Sequence, residues 1–311
     1  MLSRTAASLY WLGRYVERAD FTARLVEATV RLDALSARPA GDAAWQSALI
    51  VTDADAAFAA TGESLTAHSV ARFLTLSNGH PGSILSCLDM ARNNARAVRT
   101  ALTREAWTAI NRAWLIFNNR ASPGGAQATL NLVEQTKAET RGFEGAVHRM
   151  MRNQASWFIS LGSAIERADN TARLLDVKYH LLLPAGEAVG GTVDRDQWTT
   201  ILQTVSAVTA YRWLYRDGLR PADVVELLVV RRELPRSLAA ATEEVVNLLN
   251  ALAKRMGQQG EADRMARARL THVSRLTVDQ IFAQGFHEYL EGFIEENARL
   301  SAAIARQFRF V

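Results

Sequence analysis

The chain has 311 residues, 49% of them hydrophobic and 22% charged, a length and balance that can bury a substantial globular core. Its single cysteine, Cys87, excludes an internal disulfide. No run of about 18 apolar residues and no leader-like N-terminus is present, so a soluble, cytoplasmic protein without a membrane span is expected. Basic and acidic residues, 36 against 32, alternate along the chain, so the net charge of +4 does not point to a nucleic-acid surface.

From the N-terminus, helical periodicity predicts segments over roughly 3–36, 43–60, 66–77, 82–101, 103–119, 126–149 and 150–182. It continues over 195–217, 221–231 and 236–256, and ends in a long stretch over 261–308 that breaks near Gly285. The six prolines, at 39, 81, 123, 184, 221 and 235, all mark segment edges, as do the Gly-rich pieces "ARPAGDA", "SPGGA" and "PAGEAVGGTVDRDQ". Strand-like alternation bounded by turn signals is absent. The expected class is all-α, a helical bundle with no β-sheet.

The first and seventh segments carry nearly the same words. "LGRYVERADFTARL" (Leu12–Leu25) and "LGSAIERADNTARL" (Leu161–Leu174) agree at ten of fourteen positions, at an offset of 149. Trp45 then matches Trp198 and Phe58 matches Tyr211 at an offset of 153, and Pro81 and Ser83 match Pro235 and Ser237 at an offset of 154. Landmarks in one order predict two duplicated halves, 1–149 and 150–311, packed as one compact domain. The paired aromatics read as core anchors. Each Pro-x-Ser reads as the start of a helix, with the hydroxyl near the first-turn amides.

On a helix, Leu12, Val16, Ala19, Ala23, Val26 and Val30 share the face expected to meet the core. Glu17, Asp20, Phe21 and Arg24 share another face, with Tyr10 and Arg14 continuing the stripe. In the second copy Glu166, Asp169, Asn170 and Arg173 do the same, with Ile159 and Ser163 ahead of them. Arg18 and Arg167 point to a third side. Small Ala19, Ala23, Ala168 and Ala172 would let a neighbouring helix come close. If the stripes face each other, Glu17 would meet Arg173 and Glu166 would meet Arg24.

Two readings of the stripes stay open. One is a salt-bridge network that docks the halves, where losing one partner costs about 3–5 kcal/mol. The other is a polar site in which Glu17 and Glu166 are the candidate acid/base pair. Arg14, Arg18, Asp20, Arg24, Arg167, Asp169 and Arg173 are then the candidate ligand-binding residues. Four carboxylates offset by four arginines do not favour a divalent metal, and no metal or cofactor is expected.

The stretches "SLYWLGRYVERADFTARL" and "LGSAIERADNTARLLDVKY", with the paired Pro-x-Ser helices, resemble the Alpha-E family of bacterial α-helical proteins. The resemblance covers essentially the whole chain, and Glu17-Arg18 and Glu166-Arg167 are its most specific part. Genes of that family often neighbour a circularly permuted ATP-grasp ligase, a transglutaminase-like protein and sometimes a proteasome-related peptidase. The resemblance therefore implies a part in peptide synthesis, tagging or modification. The expected function is an accessory or substrate-presenting partner of an ATP-grasp-type ligase, with a peptide as a possible ligand. The competing expectation is an enzyme in its own right, an amide-bond ligase component or hydrolase, with Arg24 and Arg173 as carboxylate or phosphate clamps.

Other chemistry has little footing in the sequence. None of the six histidines sits in a Glu-x-x-His pattern, and "HEYLE" at 287–291 lacks the second histidine of a zinc-protease helix. No phosphate-binding glycine motif and no G-x-S-x-G occurs. Cys87 reads as a core residue. The arginine-rich stretch 254–275 reads as a solvated helix face, with RNA or an acidic partner as the alternative. The C-terminal "GFIEENARLSAAIARQFRFV" reads as an amphipathic segment docked on its own bundle.

Overall fold

A computed structural model describes residues 1–35, 40–118, 124–180 and 191–310. The expected segment edges at Pro39, Pro123 and Pro184 lie outside these residues. Among the described residues the chain is all-α, with no strand. Helix α1 (Ser3–Leu35) is followed by α2 (Ala40–Val51), α3 (Asp55–Ala59), α4 (Ala67–Leu76), α5 (Ile84–Ala97), α6 (Arg104–Asn118) and α7 (Ala126–His148). After them come α8 (Gln154–His180), α9 (Thr192–Thr204), α10 (Val208–Leu214), α11 (Pro221–Val225), α12 (Leu238–Met256), α13 (Glu261–Val273), α14 (Val278–Gln284) and α15 (Phe286–Phe308). No helix among the described residues is long and apolar enough to cross a membrane.

The centre of the bundle is the contact between α1 and α8. Helix α1 also packs on α5, α7, α2 and α9, and α8 also packs on α12 and α15. This enclosure corrects the expectation of a single core face: Tyr10, Glu17, Asp20 and Phe21 are buried along with Leu12, Val16 and Ala19. The apolar core runs without interruption through helices on both sides of residue 150.

Glycine allows the two central helices to touch. A Cβ at Gly13 would be driven into the backbone carbonyl of Ile159, and one at Gly162 into that of Tyr10. Ser163 Oγ adds a hydrogen bond to the Gly13 carbonyl at 3.2 Å. The side-chain contacts beyond the glycines, Arg18 with Glu166 and Arg167 with Glu17, lie further towards the C-terminus on both helices, so the helices run side by side in the same direction. The small Ala19, Ala23, Ala168 and Ala172 are buried as expected, but the closest approach belongs to the glycines.

Two expected helices, 43–60 and 195–217, are each split by a left-handed residue. Asp53 (φ 54°) ends the first and Ser206 (φ 58°) the second. Ala54 N–H then donates to the Leu49 carbonyl at 2.9 Å, and Ala207 N–H to Leu202 at 2.7 Å, closing the helix end as a glycine ordinarily would. The predicted 221–231 helix begins with Pro221 at its first turn and finishes as one π-helical turn over Glu226–Val230. The long final segment divides into α13, α14 and α15, the last break falling at Gly285 as expected.

The Pro-x-Ser segments cap their helices as predicted. Ser83 Oγ accepts from Ser86 N–H at 3.1 Å and donates to the Ser77 carbonyl at 2.5 Å. Ser237 Oγ accepts from Ala240 N–H at 3.0 Å and donates to the Arg231 carbonyl at 2.5 Å. Trp45, Trp198, Phe58 and Tyr211 are core residues, and so is Cys87, whose thiol burial pushes up to about 12. The C-terminus docks on its own bundle: Phe308 lies 4.9 Å from Phe158 and Phe310 5.3 Å from Tyr10, ring to ring.

Candidate functional site

Because glycine brings α1 and α8 together, residues on a third side of each isolated helix face the gap between them. Each Glu-Arg pair therefore exchanges arginines with the other. Arg18 Nε donates to Glu166 Oε1 at 2.5 Å, and its Nη2 to Oε2 at 3.1 Å. In return, Arg167 Nη2 donates to Glu17 Oε2 at 2.9 Å. This corrects the expected partners. Arg24 and Arg173 do not reach the opposite glutamates; they fold back one turn onto Asp20 at 2.6 Å and Asp169 at 2.8 Å.

Each glutamate also holds a second arginine, from a different direction. Arg14 Nε donates to Glu166 Oε2 at 2.7 Å, with its guanidinium 5.0 Å from the Trp11 ring and Nη1 bound to Ser301 Oγ at 3.1 Å. Arg236 approaches Glu17 from the start of α12: Nη1 donates to Glu17 Oε1 at 2.7 Å and Nη2 to Asp20 Oδ2 at 2.9 Å. Thr140 from α7 donates to the other Asp20 oxygen at 2.8 Å. The outer nitrogens of Arg167 reach Glu244 at 3.2 Å and Glu144 at 3.6 Å.

Burial pushes the Glu17 carboxyl up, but Arg167 and Arg236 outweigh it and hold it down at about 2. Burial likewise opposes ionisation of Glu166, and Arg14 with Arg18 brings it below its ordinary value. Both glutamates are carboxylates at neutral pH. A general base needs proton affinity near the working pH, which a carboxylate held at about 2 lacks.

A cavity lies on each side of this network. One, of about 240 Å³, is walled by Arg18, Glu166, Asp169, Asn170 and Arg173, with His80 and Gly82 at its rim from the segment before α5. His80 is 5% exposed and stacks on Phe73 at 4.8 Å, and among the described residues its Nε2 has no partner. Burial, with Arg18 nearby, pushes the imidazole below its ordinary value, so it is neutral at pH 7. Asn170 is 7% exposed and its Nδ2 also has no partner among the described residues. The second cavity, of about 330 Å³, is bounded by Glu17, Arg167 and Arg236, with Ser163, Glu144 and Glu244. Burial lifts the Glu244 carboxyl, which Arg167 opposes and Glu17 and Glu144 reinforce.

All nine candidate residues thus fall in one connected region, but the set was incomplete. Arg236, His80 and Gly82 were missed. Arg236 and Gly82 are the variable residue of the two Pro-x-Ser segments, and His80 precedes the first. On the register of the repeated phrase Ser163 stands opposite Arg14, and on that of the Pro-x-Ser segments Gly82 stands opposite Arg236. Each cavity therefore lies where one site has an arginine and the other a small residue.

The arginine-rich stretch expected to form a solvated face is partly interior. Arg269 is buried, 3.5 Å from the Phe293 ring, and donates to Asn297 Oδ1 and to the Phe293 carbonyl, each at 3.0 Å. Asn297 in turn donates to the Ile165 carbonyl at 3.0 Å and to Asp169 Oδ1 at 3.3 Å, so this arginine supports the site from behind.

No curated protein and no solved structure matches the chain. A family model does, over residues 1–308: Alpha-E, described as a predicted alpha-helical domain with a conserved ER motif. With two Glu-Arg pairs exchanged at its centre and that match along nearly its whole length, the chain belongs to the Alpha-E family.

Proposed function

We propose that the protein is an accessory helical partner that presents a peptide or amino-acid substrate to an ATP-grasp-type ligase, in a peptide synthesis or modification system that also uses a transglutaminase-like protein. The gene company implied by the family resemblance supports the partners. The observation that carries the presenting role is the cavity of about 240 Å³ between Glu166 and His80, which offers both signs of charge and is lined by two residues, His80 and Asn170, each with a buried polar atom unpartnered among the described residues. It is smaller than the roughly 300–1,000 Å³ of drug-sized sites and suits an amino acid or one end of a peptide.

The arginine-held glutamates weigh against the enzymatic alternative, since neither has the proton affinity of an acid/base catalyst at neutral pH. We also read the matched caps, left-handed breaks and reciprocal glycine contacts as the trace of a duplication, with halves 1–149 and 150–311. The test is reconstitution with the neighbouring ligase, following ATP consumption and peptide product with and without this protein. At least tenfold stimulation that requires the mixture is expected. Ligation or amide hydrolysis by this protein alone, or no effect on the ligase, overturns the accessory role.

A further inference from the structure

The segments preceding α5 and α12 have the same backbone build. Ser83 N–H bonds the His80 carbonyl at 3.1 Å, and Ser237 N–H bonds the Leu234 carbonyl at 2.9 Å. Residues 82 and 236 thus leave matching positions, one beside the carboxylates of α8 and the other beside those of α1. From position 236 an arginine crosses to bridge Glu17 and Asp20. From position 82 nothing crosses. The His80 ring occupies the start of that path, because a Cβ on Gly82 would lie 2.7 Å from His80 Nε2. Beyond the ring the path is open cavity.

The consequence appears in the hydrogen bonds. Asp20 Oδ2 accepts from both Arg24 and Arg236, whereas Asp169 Oδ2 accepts, among the described residues, from Arg173 only. A carboxylate oxygen takes two donors, so Asp169 retains room for one where Arg236 would reach. Asn170 lines the same cavity, and among the described residues its Nδ2, a donor, is buried and unpartnered; turning the amide about its terminal bond brings that donor to the cavity. Buried polar groups are ordinarily satisfied, and an exception calls for a partner. A cation alone would satisfy Asp169 and leave Asn170 unmet; an anion alone would do the reverse. The cavity wall carries Arg18 and Arg173 against Glu166, Asp169 and Asp53, and Arg14, which pairs with Glu166 from outside the cavity, brings the group to neutrality, so a ligand without net charge keeps that balance.

We propose that this cavity binds the zwitterionic end of an α-amino acid or short peptide, its ammonium beside Asp169 in the place Arg236 fills at the other site, and its carboxylate or carbonyl oxygen on Asn170 Nδ2. This rests on the substrate-presenting reading above and names the chemical class that the site takes. His80 Nε2 contributes a second contact at the rim, and Gly82 leaves that ring in place, since a Cβ there would lie 2.7 Å from Nε2 and displace it.

The test is calorimetric titration of the full chain with L-alanine and glycylglycine, and separately with acetate and methylammonium. The zwitterions are expected to bind, and each single-charge probe to bind at least tenfold more weakly. The double variant His80→Leu with Gly82→Arg, which carries the residues of the matching segment, closes the cavity and lowers zwitterion affinity at least tenfold. Asn170→Ala, which fills nothing, also lowers it; thermal midpoints within a few degrees of the parent show that both variants are folded. Absence of zwitterion binding, equal binding of acetate or methylammonium, or unchanged affinity in folded variants overturns the assignment. If it fails while the ligase is still stimulated, the accessory role survives; binding without stimulation removes that role and keeps the site.

Discussion

Arg18 reaches across from α1 to hold Glu166 of α8, with Nε and Oε1 2.5 Å apart and the two residues 148 positions apart in sequence. Arg167 returns the contact to Glu17 at 2.9 Å. Desolvation consumes most of the Coulomb gain of a buried pair, so such an exchange adds little net stability, whereas removing one member strands the other charges. Glu17→Gln and Glu166→Gln are each expected to destabilise by about 3–5 kcal/mol in denaturant unfolding. A double-mutant cycle of Glu17→Gln with Arg167→Met should show coupling well beyond 0.5 kcal/mol, roughly the additivity limit of distant sites. Additive losses below about 1 kcal/mol would instead mark the glutamates as dispensable to docking.

The glycine contact makes a sharper prediction about packing. At Gly13 or Gly162 an added methyl meets backbone, which cannot rotate away. Gly13→Ala and Gly162→Ala are each expected to cost at least about 1–3 kcal/mol, as overpacking does, and to disturb the exchanged pairs. Gly142 and Gly145 of α7 have nothing within 4 Å of the same added atom. There alanine should be neutral or stabilise by about 0.5–1 kcal/mol, through helix propensity alone. Thermal melts of the four variants check both halves; equal shifts at all four would show that the α1–α8 contact is looser than described.

These two relationships also mark how far the sequence could be read. Helix α1 was predicted as 3–36 and observed as Ser3–Leu35, because its apolar spacing and the lack of internal proline or glycine pairs leave no other choice. The breaks at Asp53 and Ser206 were not legible, since a left-handed residue is uncommon outside glycine, even for the more tolerant aspartate, and neither position has a glycine or proline beside it. The repeated Glu-Arg phrase identified the right residues and the wrong partners. Which arginine meets which glutamate depends on how closely and at what register two helices run, and Gly13 and Gly162 decide that without any polar signature. Arg236 was out of reach for a similar reason: only after α12 docks on α8 does the middle residue of a Pro-x-Ser segment face Glu17.

The charge state of Glu17 makes stability depend on acid. Its carboxyl sits at about 2 in the folded chain against an ordinary value of 4.5, because Arg167 and Arg236 outweigh its burial. A folded pKa below the unfolded one means that the unfolded state binds the proton more readily. The stabilisation is therefore fully present above pH 4.5 and is lost as pH falls through that value towards 2. Linkage over this interval corresponds to about 3 kcal/mol. Glutamine cannot ionise, so Glu17→Gln should lack this component at every pH. The difference in unfolding free energy between parent and Glu17→Gln is expected to be constant from neutral pH to about 5 and to shrink steadily below it. Denaturant titrations at half-unit steps of pH measure it directly. A difference that stays the same down to pH 2 would mean that the loss comes from the shape and hydrogen bonding of the amide, and that the arginines do not hold Glu17 by its charge.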